Sequence, residues 1–191
     1  MKLSDVEFRA MQTIWRKWGQ KYFELPFFQR IGLDVRGKDI LEIGCGSGYG
    51  AFLLNQLNPK SYIGLDLMEE QIQLAREKYP HYQFHVQDAT DLSQFPNASK
   101  DTVIIFGVLH HIVGWRKTID EIARVLKPTG DLFLEEPRGN DVKSFDFFFR
   151  WGHPDSDFSL KALEAYLQSR GLNILRKQWT PLLTVIHCRK S

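Results

Sequence analysis

The segment Glu42-Ile43-Gly44-Cys45-Gly46-Ser47-Gly48-Tyr49-Gly50-Ala51 puts an acid and four glycines where an apolar run gives way to a helical pattern. Glycines at that density let the backbone approach a ligand closely and turn the free N–H groups of a helix start toward it. A merely tight turn would need one or two of them. Two further carboxylates fall in matching places: Asp66 closes Gly64-Leu65-Asp66, and Asp88 closes His85-Val86-Gln87-Asp88. Carboxylates so placed accept hydrogen bonds from ligand hydroxyls and amines and attract cations. His110-His111 follows another apolar run. Imidazole, with an ordinary pKa of about 6.5, is the default general base, and His111 is the preferred candidate of the pair. Tyr22, His153 and Asp155 are lesser alternatives for that role.

Two ligand classes use such a turn. Gly46, Gly48 and Ala51 satisfy the G-x-G-x-x-G/A dinucleotide pattern, and Asp66 stands twenty residues beyond Gly46, where an acid would hold a ribose hydroxyl pair. The strand register, however, makes Gly44 the first glycine of the turn, which moves the third pattern position to Tyr49, too bulky for close helix–strand packing. A nicotinamide-dependent oxidoreductase would also have little of its 191 residues left for a catalytic domain. The other class is S-adenosylmethionine, for which acid-x-Gly-x-Gly-x-Gly is filled by Glu42, Gly44, Gly46 and Gly48. That ligand has a ribose and no pyrophosphate, and it carries an ammonium and a sulfonium, so acids near strand ends are favourable neighbours. Asp66 would accept from the ribose hydroxyls and Asp88 from the adenine amine. All three acids end consecutive strands, where open sheets bind their ligands.

The elements that must position these residues alternate from about residue 38 onward. Asp39–Ile43, Ser61–Leu65, the alternating Tyr82, Phe84 and Val86, Asp101–Phe106 and Asp131–Glu135 are expected strands. Helices are expected through Ala51–Leu57, from Glu69 to Tyr79-Pro80, and across Ile119–Leu126 up to Lys127-Pro128. Strands separated by helix-length connections imply a doubly wound, mostly parallel α/β sheet. Leu160, Leu163 and Leu167 mark one more helix, after which Ile174–Trp179 and Leu182–Cys188, joined by Thr180-Pro181, are expected as an antiparallel pair. The first 28 residues pattern as one or two amphipathic helices outside the sheet.

Ile40-Leu41-Glu42-Ile43-Gly44-Cys45-Gly46-Ser47-Gly48, Gly64-Leu65-Asp66, Gln87-Asp88-Ala89, Val108-Leu109-His110-His111-Ile112 and Arg124-Val125-Leu126-Lys127-Pro128-Thr129-Gly130 together resemble a class I S-adenosylmethionine-dependent methyltransferase of the small-molecule and lipid type. The resemblance covers residues 38–136. It implies a seven-stranded Rossmann-like sheet with an antiparallel last strand, S-adenosyl-L-methionine as methyl donor and S-adenosyl-L-homocysteine as product. It also implies that Glu42, Gly44, Cys45 and Gly46 line the methionyl end, Asp66 and Leu67 the ribose and adenine, Asp88 and Ala89 the adenine, and the backbone around Phe106 the ammonium, with Gly48 also among the cofactor-binding residues. No metal is implied. A protein that binds this donor without turnover would carry the same pattern.

Composition narrows the acceptor. With 25 Lys+Arg against 23 Asp+Glu the net charge is +2, and the basic residues form no stripe. Phe106-Gly107-Val108-Leu109 also lacks the Asn/Asp-Pro-Pro-aromatic turn of methyltransferases that modify bases, so no nucleic-acid partner is expected. Cys45 and Cys188 match no metal or redox spacing, and Asp5 and Glu7 stand where a leader would be apolar, so a cytoplasmic protein is expected. Of 25 aromatic residues, seven lie in residues 1–28 and six in 145–158. The expected arrangement is a single domain: a helical lid (1–30), the cofactor-binding core (38–136), a substrate-side insertion (137–158) and a C-terminal helix and hairpin (159–191). An apolar or aromatic small molecule is the expected acceptor; Phe147-Phe148-Phe149 beside Arg150 touching a membrane surface is the secondary reading. Nothing in the sequence speaks to oligomeric state.

Overall fold

The structure is a computed structural model that describes residues 18–137, 158–180 and 183–191. Its centre is a seven-stranded sheet in the order β3-β2-β1-β4-β5-β7-β6. β1 (Asp39–Ile43), β2 (Ser61–Asp66), β3 (Gln83–Val86), β4 (Lys100–Phe106) and β5 (Leu126–Pro137) run parallel; β7 (Leu183–Lys190) lies antiparallel between β5 and β6 (Leu172–Trp179). The expected α/β sheet and its antiparallel last strand are both present. Order reverses between β1 and β4, and at such a switch point loops diverge and leave a crevice at the carboxyl ends of the strands.

Strand alternation divides the core into two layers. Leu41, Ile43, Val103, Ile105, Leu132 and Leu134 face α4 (Trp115–Val125) and α5 (Leu160–Ser169). Ile40, Ile104, Phe106 and Phe133 face α1 (Leu25–Arg30), α2 (Tyr49–Asn55) and α3 (Glu69–Lys78). α4 buries Trp115, Ile119, Ile122 and Val125, a single stripe at helical spacing. Trp115 meets the edges of Phe158 and Tyr166 at centroid distances of 5.7 and 5.6 Å. In α1, Phe28 is fully buried against Phe106, at 5.0 Å, and Phe133. A short π-helical turn, Gln20–Glu24, precedes α1.

Several boundaries differ from the sequence expectation, two of them for a clear local reason. β5 begins at Leu126, five residues before Asp131, because Pro128 excludes helical geometry at Lys127; Leu126 already has ψ 135°. The early start is absorbed by a break in register between Lys100 and Thr102 on β4. α2 begins at Tyr49 and ends at Asn55, two residues earlier than its apolar residues suggest, since Gly48 takes φ +84° and starts the helix directly.

At the opposite end from the crevice, charged groups tie the strands together. Asp39 accepts from Ser61 Oγ at 2.7 Å, Lys60 Nζ at 3.0 Å and Lys127 Nζ at 3.4 Å. These donors, Ser61 foremost, hold its pKa down at about 2. Burial alone would raise Asp131, but His187, Arg189 and Lys38 outweigh it and hold that carboxylate well below the usual range. A carboxylate depressed in the folded state contributes stability above its unfolded pKa, about 3.9, and loses it as pH falls toward the folded value. The protein is therefore expected to lose stability between about pH 4 and pH 2, and Asp39→Asn to flatten that limb when melting is followed by circular dichroism; an unchanged acid limb would remove Asp39 from it. Among the described residues no helix is long and apolar enough to cross a membrane.

Candidate functional site

The carboxyl ends of β1, β2, β3 and β4 enclose a cavity of about 210 Å³. Of the residues singled out in the sequence, Gly44, Gly46, Asp66, Leu67, Asp88, Ala89 and His111 line it. The apolar part of the wall comes from Ile43, Leu65, Val108, Ile112 and Val113. Sequence separations of 20 to 70 residues thus collapse into one crevice because parallel strands in register end at the same level: Ile43 pairs with both Leu65 and Ile105.

The glycine turn is built for closeness rather than for anions. Gly44 takes φ +73°, and a β-carbon on it would lie 2.5 Å from Val108 Cγ1. The turn's N–H groups are spent inside the protein: those of Gly44 and Cys45 donate to Leu65 O at 2.8 and 2.9 Å, that of Gly46 to Asp66 Oδ2 at 2.9 Å and that of Gly48 to Cys45 O at 3.0 Å. The sequence expectation of free N–H groups aimed at a ligand fails at these four positions, because the end of β2 lies close enough to take three of them and the turn closes on itself at Gly48.

Asp66 also accepts from Met68 N at 2.9 Å through Oδ1. Burial raises its pKa, opposed by the N–H donors of Met68, Gly46 and Leu67. Each oxygen retains a lone pair for a further donor. Cys45, expected at the methionyl end, does not line the cavity: it is buried in the layer of Ile40 and Phe28, and burial together with Glu42 and Asp66 pushes its thiol well up, so it is an inert protonated side chain.

Three singled-out residues point elsewhere. Glu42 shares strand parity with Ile40 and so faces α2, where its Oε2 accepts from Tyr62 OH at 2.7 Å and a β-carbon on Gly50 would come into its carboxylate. The Tyr62 phenol is pushed well up by burial first and Glu42 next, and it remains the donor. Phe106 buries its ring against Phe28, leaving its neighbour Gly107 to line the cavity. Gly48 sits behind the turn, where a β-carbon would lie 2.9 Å from Phe84.

His110 is likewise held away from the cavity. It is buried, with its Nδ1 2.7 Å from Oε2 of the fully buried Glu136, which also accepts from Leu109 N at 2.9 Å and His110 N at 3.3 Å. That carboxylate pins the 3₁₀ turn Leu109–His111, whose last residue presents His111 to the cavity. The two imidazoles lie 4.1 Å apart, centroid to centroid. Sequence reasoning missed Glu136; the signal was its parity with Leu132 and Leu134, which sends it to the face of the histidine turn. Tyr22 is exposed, its ring tilted against that of Trp18 at a centroid distance of 5.2 Å, outside the cavity lining. His153, Asp155 and Phe147-Phe148-Phe149 lie outside the described residues.

Residues 41–134, which carry this crevice, match the protein family described as "Methyltransferase domain". This part of the chain is a methyltransferase domain similar to S-adenosylmethionine-dependent methyltransferases. The chain is 34% identical over 110 residues to a "probable S-adenosylmethionine-dependent methyltransferase" of Mycolicibacterium smegmatis, covering 58% of this chain and 42% of that one. It is 39% identical over 121 residues to a phthiotriol/phenolphthiotriol dimycocerosates methyltransferase of Mycobacterium leprae, covering 61% and 44%. The chain thus spans less than half the length of these curated relatives. A methyltransferase of Aquifex aeolicus shares the fold at 16% identity and a TM-score of 0.76, with both chains covered completely. Another, from Mesorhizobium loti, does so at 16% and 0.74, covering 87% of this chain and 97% of that one.

S-adenosylmethionine, the methyl donor named for these relatives, suits the crevice. Its lining brings two carboxylates, Asp66 and Asp88, to a ligand with two cationic centres and a ribose, and the glycine turn gives a wall that a single β-carbon at Gly44 would close.

Proposed function

We propose that this protein transfers a methyl group from S-adenosylmethionine to a small apolar or aromatic acceptor. One observation carries the donor assignment: Asp66 and Asp88 line the cavity, and among the described lining residues there is no lysine or arginine. Opposite unit charges 4 Å apart attract by about 4 kcal/mol at an effective dielectric constant of about 20, and like charges repel equally. A pyrophosphate ligand would meet that repulsion and find four of the turn's N–H donors already used, which disfavours the dinucleotide alternative. When bound, S-adenosylmethionine supplies a methyl group activated by a positive sulfur.

This chain's own residues would do the rest. Asp66 holds hydroxyls, and the turn at Gly44 and Gly46 lets the methionyl end approach the backbone. The apolar wall of Val108, Ile112 and Val113 excludes water, while alignment of the two reactants provides much of the acceleration. His111 is placed to take a proton from an oxygen or nitrogen acceptor, held there by the turn that Glu136 pins. The Mycobacterium leprae relative named for phthiotriol and phenolphthiotriol dimycocerosates supports an apolar acceptor. So do the aromatic-rich residues 1–28 and 145–158, which belong to the proposed lid and substrate-side insertion.

Calorimetric titration tests the donor. S-adenosylhomocysteine is expected to bind and NADH not to; tight NADH binding with none of S-adenosylhomocysteine would reverse the assignment. Asp66→Ala is expected to weaken S-adenosylhomocysteine about tenfold or more, in line with hydrogen bonds to a charged group. Incubation of a metabolite extract with methyl-labelled donor separates an enzyme, which labels an acceptor, from a sensor, which labels none.

A further inference from the structure

A helical segment that packs on a sheet turns its apolar side chains inward and its polar ones to solvent. α1 does so: Leu25 and Phe28 are buried, Gln29 and Arg30 exposed. The π-helical turn before it does the reverse. Gln20 and Glu24 are buried, while Trp18, Tyr22 and Phe23 are 55%, 52% and 63% exposed. Trp18 and Tyr22 lie 5.2 Å apart, centroid to centroid, and the exposed Lys21 holds its Nζ 5.3 Å from the Tyr22 ring. Three neighbouring rings left in water, each with about 150–250 Å² to bury, mark an interaction surface.

Charge specifies the partner. Basic residues are scattered through the chain as a whole, but residues 8–23 hold Arg9, Arg16, Lys17 and Lys21 and no Asp or Glu, against a total net charge of +2. Rings and cations so mixed match an anionic bilayer surface, where aromatic rings sit at the boundary of headgroups and acyl chains while lysine and arginine reach the phosphates. A second copy of the chain would set like charges face to face. The place in the fold suits an apolar acceptor: Phe28 of α1 packs on Phe106, and the next residue, Gly107, lines the cavity. We propose that Trp18, Lys21, Tyr22 and Phe23 form a docking face for an anionic lipid surface. This face stands apart from the methyl-donor reading, and it brings the crevice to acceptors dissolved in a bilayer.

Flotation with phosphatidylcholine vesicles, with and without phosphatidylglycerol, tests the face in the absence of any methyl donor. The protein is expected to bind the anionic vesicles about tenfold or more tightly than the neutral ones. Raising the salt from about 0.1 M to about 1 M should release most of it, since the Debye length falls from about 10 Å to about 3 Å. Trp18→Ser combined with Phe23→Ser is expected to weaken binding to anionic vesicles about tenfold or more, because both rings leave the apolar boundary. Lys21→Gln should weaken it about fivefold. Leu175→Ser, at an exposed leucine of β6, is the control and should bind like wild type. All of these positions are exposed, so each variant should melt within about 2 °C of wild type by circular dichroism. Lys21→Gln and the salt series decide the matter if the double variant folds poorly. Wild type that fails to float with anionic vesicles would overturn the docking face, as would a double variant that binds them within twofold of wild type. So would a dimer in sedimentation equilibrium that the double variant abolishes, since the rings would then belong to a second copy. Wild type that floats with anionic vesicles but fails to bind S-adenosylhomocysteine would sink the donor reading and leave this face standing.

Discussion

Glu136→Ala is expected to lower the melting temperature by about 10 °C. The fully buried carboxylate accepts from Leu109 N, His110 N and His110 Nδ1 at once, and alanine would leave all three donors buried without it. Leaving a buried donor without its acceptor costs about 1–3 kcal/mol, and each kcal/mol moves the midpoint of a domain of this size by about 2–4 °C. The consequence reaches the cavity, since these bonds fix the turn that ends in His111. Affinity for S-adenosylhomocysteine should fall as well, though less than in Asp66→Ala, because Glu136 does not line the cavity. Glu136→Gln, which keeps an acceptor of the same shape, should recover part of the loss. Differential scanning calorimetry decides the matter: a midpoint within about 2 °C of wild type would mean the turn is held by other contacts.

Gly44→Ala is expected to abolish measurable binding of S-adenosylhomocysteine while leaving a folded protein. Two penalties combine at that residue. A non-glycine side chain at φ +73° costs about 1–3 kcal/mol, and the new methyl group would lie 2.5 Å from Val108 Cγ1 and 2.9 Å from its Cβ. Relief requires Val108 or the turn to shift, and both border the cavity. Displacements of this kind typically cost a further 1–3 kcal/mol. Together they correspond to about a hundredfold or more in affinity, because strain relieved by a shift of the wall is restored when a ligand demands the original shape. Val108→Ala in the same chain should recover part of the binding by removing the atoms that the new methyl meets. Normal affinity in Gly44→Ala, or no rescue by Val108→Ala, would show that the close approach at Gly44 is not what shapes the crevice.

Much of this site was legible before any tertiary contact was known. Asp66 and Asp88 follow strands whose apolar runs are unambiguous, and a parallel sheet brings such ends to one level, so both reach the cavity wall. His111 reaches it for the same reason, at the end of β4. Glu42 and His110 carried the same sequence signal and face other ways. Glu42 looks toward Tyr62 and α2, and His110 toward Glu136. Adjacent positions on a strand or turn point to opposite sides, and the motif alone does not say which side holds the cavity.

The sequence by itself determined the alternation of strands and helices, the antiparallel final pair and the level at which the acids lie, because each follows from local periodicity and turn chemistry. Tertiary structure alone decided which donors were spent and which remained. Three N–H groups of the glycine turn are taken up by the end of β2 and that of Gly48 by Cys45 O, while Glu136 is committed to a turn 26 and 27 residues before it. Hydrogen-bond satisfaction is a property of neighbours brought together by folding, so a motif can name the groups at a site without saying which of them are left for a ligand.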